Sequence, residues 1–140
     1  MNTLGYGKVA QTAISAMSHL AVHYDEGETR YNAAQIAEAR NLPQPIVAKV
    51  LSQLAQSDYI SGTAGRNGGY ALMVSPEKIT FFDVVTLFEK VGERPFCPFG
   101  PGWCKEHNPC AVHDEIDALH HSVHCFLKGT HFGVLEKPAD

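Results

Sequence analysis

The sequence predicts a mainly α-helical fold with a small β wing, in which a winged helix-turn-helix is followed by a long C-terminal helix. Three observations predict it. Two helical patterns, one short and one longer, are separated by the turn Asn41-Leu42-Pro43. Two short apolar strands flank a glycine-rich loop at 64–69, and a narrow apolar stripe runs from Val112 to Phe126. The 140 residues, 44% hydrophobic and 19% charged, suffice for one compact core and one dimer surface.

In chain order, Ala10, Ala13, Ile14, Met17, Leu20, Ala21 and Tyr24 recur at helical spacing. They predict a first helix from about Gly7 to Tyr24, ended by the turn chemistry of Asp25 to Gly27. Asn32 and Gln35 form a capping-box pair that opens a short helix from Ala33 to Arg40, with Ile36 and Ala37 inward. From Gln44, the residues Val47, Val50, Leu51 and Leu54 define the inner face of the next helix. Gln44, Pro45, Ala48, Lys49, Ser52 and Gln53 are left outside. Tyr59 to Thr63 and Tyr70 to Val74 read as strands joined by Ala64-Gly65-Arg66-Asn67-Gly68-Gly69, the shape of a wing.

Thr80 caps a further helix through about Lys90, offering Phe82, Val85, Leu87 and Phe88 for packing. Three prolines and three glycines between Val91 and Asn108 exclude regular structure there. Asn108 as N-cap and Pro109 as first helical residue start the last helix, and Lys128-Gly129 stops it. Within it Val112, Ile116, Leu119, Val123 and Phe126 step by four and three, the narrow seam of a helix that packs against its twin in a homodimer. The last dozen residues read as a short tail, loosely structured at its end. The expected division is a winged helix-turn-helix over 1–90, a cysteine-rich loop over 91–108, and a dimerisation helix with tail over 109–140.

Eleven Lys and Arg against 15 Asp and Glu give a net charge of -4, which excludes a protein that binds nucleic acid through bulk charge. Residues 1–70 carry five of each sign, so a local basic face fits there and the acid excess is C-terminal. Apolar runs such as Ile79 to Val85 fall well short of the roughly 18 residues of a membrane span, and no signal peptide is recognisable. A cytoplasmic protein without a membrane partner is expected. No plausible nucleophile, base and pocket constellation appears, so neither an enzyme nor a small-molecule substrate is expected.

A helix-turn-helix with a wing reads double-stranded DNA, its second helix in the major groove and its wing on a neighbouring phosphate or in the minor groove. Gln44, Lys49 and Gln53 on the second helix, Arg66 and Asn67 at the wing tip, and Lys8 at the start of the first helix are the expected DNA contacts. The plainer alternative makes them solvated residues of a winged helix used for protein contacts.

Cys97, Cys104 and Cys110 fall within 14 residues, and His113 follows the last at a spacing that places both on one helical face. Three thiolates and an imidazole suit an iron-sulfur cluster or zinc. The six- and five-residue gaps exceed the short knuckles of structural zinc sites and favour the larger cluster. Three surface thiols forming a redox disulfide are the remaining alternative, and His107 is a second choice for the nitrogen ligand. Cys125 reads as a buried or idle thiol, and His120 with His124 as solvated residues.

The stretch Leu4-Gly5-Tyr6-Gly7-Lys8, the segment from Ala34-Gln35-Ile36-Ala37 to Val50-Leu51-Ser52-Gln53-Leu54, the loop Gly65-Arg66-Asn67-Gly68-Gly69-Tyr70, and Cys97, Cys104 and Cys110-Ala111-Val112-His113 together resemble the Rrf2 family of bacterial transcriptional regulators. The resemblance covers nearly the whole chain. It implies a homodimeric winged-helix repressor or activator that senses redox state, nitric oxide or iron-sulfur status through a cluster. Some members hold a [2Fe-2S] cluster with three cysteines and a histidine placed like Cys97, Cys104, Cys110 and His113. Nitric-oxide-sensing members take a fourth ligand from an acidic residue near the N-terminus. Here Lys8 stands at about that position, which favours the histidine-ligated [2Fe-2S] form over [4Fe-4S]. Ala64 replaces an arginine common before the first wing glycine, so the resemblance gives Arg66 the minor-groove role. Ala48 replaces a glutamate that discriminates between operators, so the operator sequence does not carry over.

Overall fold

A computed structural model describes residues 7–89 and 111–135 of the chain. Helix α1 (Lys8–Val22) buries Ala10, Ala13, Ala16, Met17, Leu20 and Ala21. Its run of small residues lets α2, α3 and α4 approach closely. The chain then turns with Glu26 at φ 63° and Gly27 at φ 88°. The Asp25 carboxylate accepts hydrogen bonds from the Thr29 hydroxyl and amide, which hold its pKa below the ordinary value.

Helix α2 (Ala33–Arg40) begins with the expected capping box: Gln35 N–H donates to Asn32 Oδ1 and Asn32 N–H donates to Gln35 Oε1, both at 2.8 Å. It ends on Asn41 in the left-handed region, φ 53°, with Leu42 N–H donating to Ala37 O at 2.9 Å. That closure sets the turn into α3 (Gln44–Leu54). Val47, Val50, Leu51 and Leu54 of α3 are fully buried against α1 and α2. Strands β1 (Ile60–Thr63) and β2 (Gly69–Leu72) pair antiparallel, with Ile60 opposite Leu72 and Thr63 opposite Gly69. A short 3-10 turn, Pro76–Lys78, leads into α4 (Phe81–Val85), and α5 (His113–Gly129) is followed by a second 3-10 turn, Phe132–Val134.

The main core joins α1, α2, α3, the wing strands, Ile79, Val84 and Phe132. A smaller cluster of Ala10, Val85 and Leu127 ties α5 to α1 and α4.

The structure refines four expectations. The fourth helix stops at Val85 rather than near Lys90, and the turn that follows leaves Leu87 at the surface while Val84 takes the buried place. The last helix runs from His113, with Ala111 and Val112 in a turn, and the expected start at Asn108 and Pro109 lies outside the described residues. Cys125 is exposed rather than buried. Residues 130–135, the first part of the expected tail, pack onto the fold. Thr80 bridges His131, Phe132 N–H donates to Ile79 O at 2.9 Å, and the Phe132 ring is 1% exposed. The reason is apolar: the core between α1 and the 3-10 turn at Pro76–Lys78 is completed by that ring.

Candidate nucleic-acid interface

The outward residues of α3 follow from its burial pattern. With Val47, Val50, Leu51 and Leu54 inward, Gln44, Pro45, Ala48, Lys49, Ser52 and Gln53 all face solvent. Gln53 is not wholly available, because its Nε2 donates to Leu87 O at 3.1 Å and so ties α3 to the turn after α4. Lys8 is exposed at the first position of α1.

The wing tip is shaped by its glycines. Gly65 has φ 105° and Gly69 has φ 137°, conformations that side chains resist, and Gly68 N–H donates to Gly65 O at 3.1 Å. Arg66 and Asn67 are thereby held outward and exposed. They line a polar cleft of about 420 Å³ together with Glu28, Arg30, Asn32 and Gln35 from the α1–α2 connection and the start of α2. The structure therefore brings Arg66 and Asn67 together with the front of the helix-turn-helix.

Arg30 is the residue that sequence reasoning missed. Its guanidinium donates to Ser61 O at 3.1 Å, to Ser61 Oγ at 2.9 Å and to Gly69 O at 3.3 Å, gripping both strands of the wing. Beside it, Tyr31 and Tyr70 exchange backbone hydrogen bonds at 3.0 and 2.8 Å. No local pattern announces this brace, because its partners lie 31 and 39 residues away.

Behind the interface, His19 of α1 is 8% exposed. Its ring lies 4.6 Å from that of His23 and 4.8 Å from that of Tyr31. Burial, then the positive fields of His23 and Arg40, lower its pKa to about 4. A neutral imidazole therefore sits between α1 and α2 near pH 7.

Of the expected cluster ligands, Cys97, Cys104 and Cys110 lie outside the described residues, as does the alternative ligand His107. His113 is half-buried and opens α5. The C-terminal half of α5 rests on α4. Phe126 meets Phe81 edge-on at 5.9 Å, His124 stacks tilted on Phe82 at 5.0 Å, and the Lys128 ammonium lies 4.9 Å from the same Phe82 ring. Further along the stripe, Leu119 is 62% exposed, and Phe126 keeps 52% of its surface open.

No described helix is long and apolar enough to cross a membrane. Residues 7–137 match the Rrf2 family, described as an iron-dependent transcriptional regulator. A protein of Aquifex aeolicus (strain VF5) named as an HTH-type transcriptional regulator is 30% identical over 127 residues, 89% of this chain and 86% of that one. The HTH-type transcriptional regulator IscR of Aliivibrio salmonicida (strain LFI1238) is 25% identical over 88% of this chain and 71% of its own length. Among solved structures, CymR, the global cysteine regulator of B. subtilis, superposes with a TM-score of 0.71 at 22% identity, covering 95% of each chain. IscR of T. potens gives 0.66 at 20% identity, over 95% of this chain and 84% of its own.

Proposed function

Because the chain belongs to the Rrf2 family of transcriptional regulators, we propose that it is a homodimeric repressor or activator whose operator affinity is set by an iron-sulfur cluster. Cys97, Cys104, Cys110 and His113 are the ligands in this reading, with [2Fe-2S] preferred to [4Fe-4S]. As a member of the family it is a DNA-binding regulator, not an enzyme. The proposed place of action is the cytoplasm, and the proposed signal is redox state, nitric oxide or iron-sulfur status.

One observation carries the DNA-reading half: the outer face of α3 is exposed, and the equally exposed wing tip is held by the Arg30 brace and set against the start of α2. Gln44 and Lys49 present hydrogen-bond donors at the front and middle of α3, where a recognition helix meets base edges and phosphates. Arg66 and Asn67 stand at the tip of a wing that Arg30 holds in register. Lys8 adds a phosphate contact. Gln53, tied to Leu87, links α3 to the chain segment that leads toward the cysteines.

The ligand set supports the sensing half by its chemistry. Three soft thiolates and a neutral imidazole suit iron, and a bound cluster would supply a redox couple whose potential depends on ligand type and burial. His113 begins α5, so its imidazole would fasten the start of that helix to the residues that follow α4. Leu119 and Phe126, exposed on the α5 stripe, form the surface that a second copy covers. Fixing the start of α5 would fix how two winged heads are spaced, and half-site spacing decides whether both dock. The proposed division of the chain is thus reader at 1–90, ligand loop at 91–108 and dimer helix at 109–140.

The deciding experiment is an absorption spectrum of protein purified without oxygen, with iron and sulfide assayed on the same sample. About two of each per chain and charge-transfer bands that Cys104→Ala removes without unfolding the protein support the reading. A colourless zinc protein points to a structural metal, and a metal-free one to a thiol-disulfide switch. The DNA half is tested separately by promoter binding at several salt concentrations, where Lys49→Ala or Arg66→Ala should each reduce the salt slope by about one.

A further inference from the structure

On the outer face of α5, Cys125 Sγ lies 3.5 Å from His121 Nε2, one helical turn away. Both side chains are exposed. With metal–sulfur and metal–nitrogen bonds of about 2.3 and 2.0–2.1 Å, two ligands of a tetrahedral zinc ion stand roughly 3.5 Å apart. The pair already has that bite. We propose that His121 and Cys125 form a two-ligand clip for a zinc-class divalent cation, with water in the remaining positions.

Asp114, Asp117, His120 and His121 line an open cleft of about 660 Å³ along this side of α5, with His124 and the Lys128 cation toward its C-terminal end. Asp117 precedes His121 by one turn, so its carboxylate lends negative potential to an incoming ion. The other histidine pair of the helix is less suited, because His124 is stacked on Phe82 beside the Lys128 ammonium, which holds its ring in place and repels a cation. Among the described residues no group of three His, Cys, Asp or Glu side chains could hold an ion, so the coordination is open. Successive residues advance by about 100° around a helix. His121 and Cys125 therefore face away from the Leu119–Phe126 stripe, and the clip stays accessible when a second copy covers that stripe.

Binding is a proton exchange. The Cys125 thiol gives its proton to solvent as sulfur bonds to the ion, and neutral His121 donates its Nε2 lone pair. Neither the DNA reading nor the iron-sulfur reading is needed for it. A metal-bound thiolate is a poor nucleophile toward alkylating agents, so protection of Cys125 reports occupancy at this one position.

The test is the alkylation rate of Cys125 by iodoacetamide, read by peptide mass spectrometry on the full chain with and without added Zn²⁺. At about nine-tenths occupancy zinc should slow Cys125 labelling about tenfold, because only the metal-free thiol reacts. In His121→Ala the protection should vanish, while Cys104→Ser and His124→Ala should keep it. Labelling of Cys125 that zinc does not slow, or protection that survives His121→Ala, overturns the clip and leaves a thiol–imidazole hydrogen bond. Labelling of Cys97, Cys104 and Cys110 in the same digest reports the other site independently.

Discussion

Gly68 sits where the returning wing strand passes closest to the outgoing one, and a Cβ there would overlap the Thr63 carbonyl oxygen. Backbone on one side and a tight turn on the other leave nothing to move aside. Gly68→Ala should cost about 1–3 kcal/mol, seen as a lower thermal midpoint, and should weaken promoter binding more than it reduces helix content. His19 makes a second prediction. Its folded pKa is depressed to about 4 against an ordinary 6.5, so it is neutral in both states above pH 6.5 and contributes no penalty there. As pH falls from 6.5 toward 4 the unfolded chain takes up a proton that the folded chain refuses, and stability declines by at most about 3 kcal/mol. His23 at the C-cap of α1, Arg40 from α2 and the Tyr31 ring are the groups that face it. Urea unfolding midpoints between pH 7 and 4 should fall less steeply in His19→Phe.

At the level of elements, the caps do what regular hydrogen bonding cannot. The eight residues of α2 bury only Ile36 and Ala37, so its start depends on the reciprocal Asn32–Gln35 bonds. Asn32→Ala should lower the unfolding free energy by about 1 kcal/mol in urea, and Thr80→Ala should do the same through the Thr80–Asp83 box of α4. The Asn32–Gln35 box and the Thr80 cap were legible in the chain, because the chemistry is complete within one turn, while the return bond from Asp83 came from the structure. The end of α4 was not. Phe82, Val85, Leu87 and Phe88 all read as available for packing, yet Leu87 turns outward once Val85 is packed under Ala10 and Leu127. The α5 stripe was expected to pack on a twin helix, but Val123 packs against the Ala10–Val85–Leu127 cluster and Phe126 meets Phe81, while Leu119 stays exposed and the anchoring Leu127 lies beside the stripe.

Across the whole molecule, the segment after α5 closes the fold. Phe81 N–H donates to Thr130 O at 2.9 Å, and Phe132 stacks tilted on Phe81 at 4.6 Å within the main core. Phe132→Ala should cost about 3–5 kcal/mol, enough to threaten a domain of this size and measurable as a large drop in urea midpoint. The same contacts join α5 to the helix-turn-helix, so the variant should also loosen α5 against α4, seen as faster amide exchange along both. α1, α2, α3 and the wing could be placed from the residues alone, since helical periodicity, an αL asparagine and a glycine-rich hairpin are each complete over a short stretch of chain. The Arg30 brace, the Tyr31–Tyr70 bridge, the burial of Phe132 and the His121–Cys125 pairing came from the folded molecule. The first three join residues dozens of positions apart, where a backbone carbonyl or an apolar gap takes whichever group the packed fold brings to it. The last depends on which face of α5 the apolar core leaves to water.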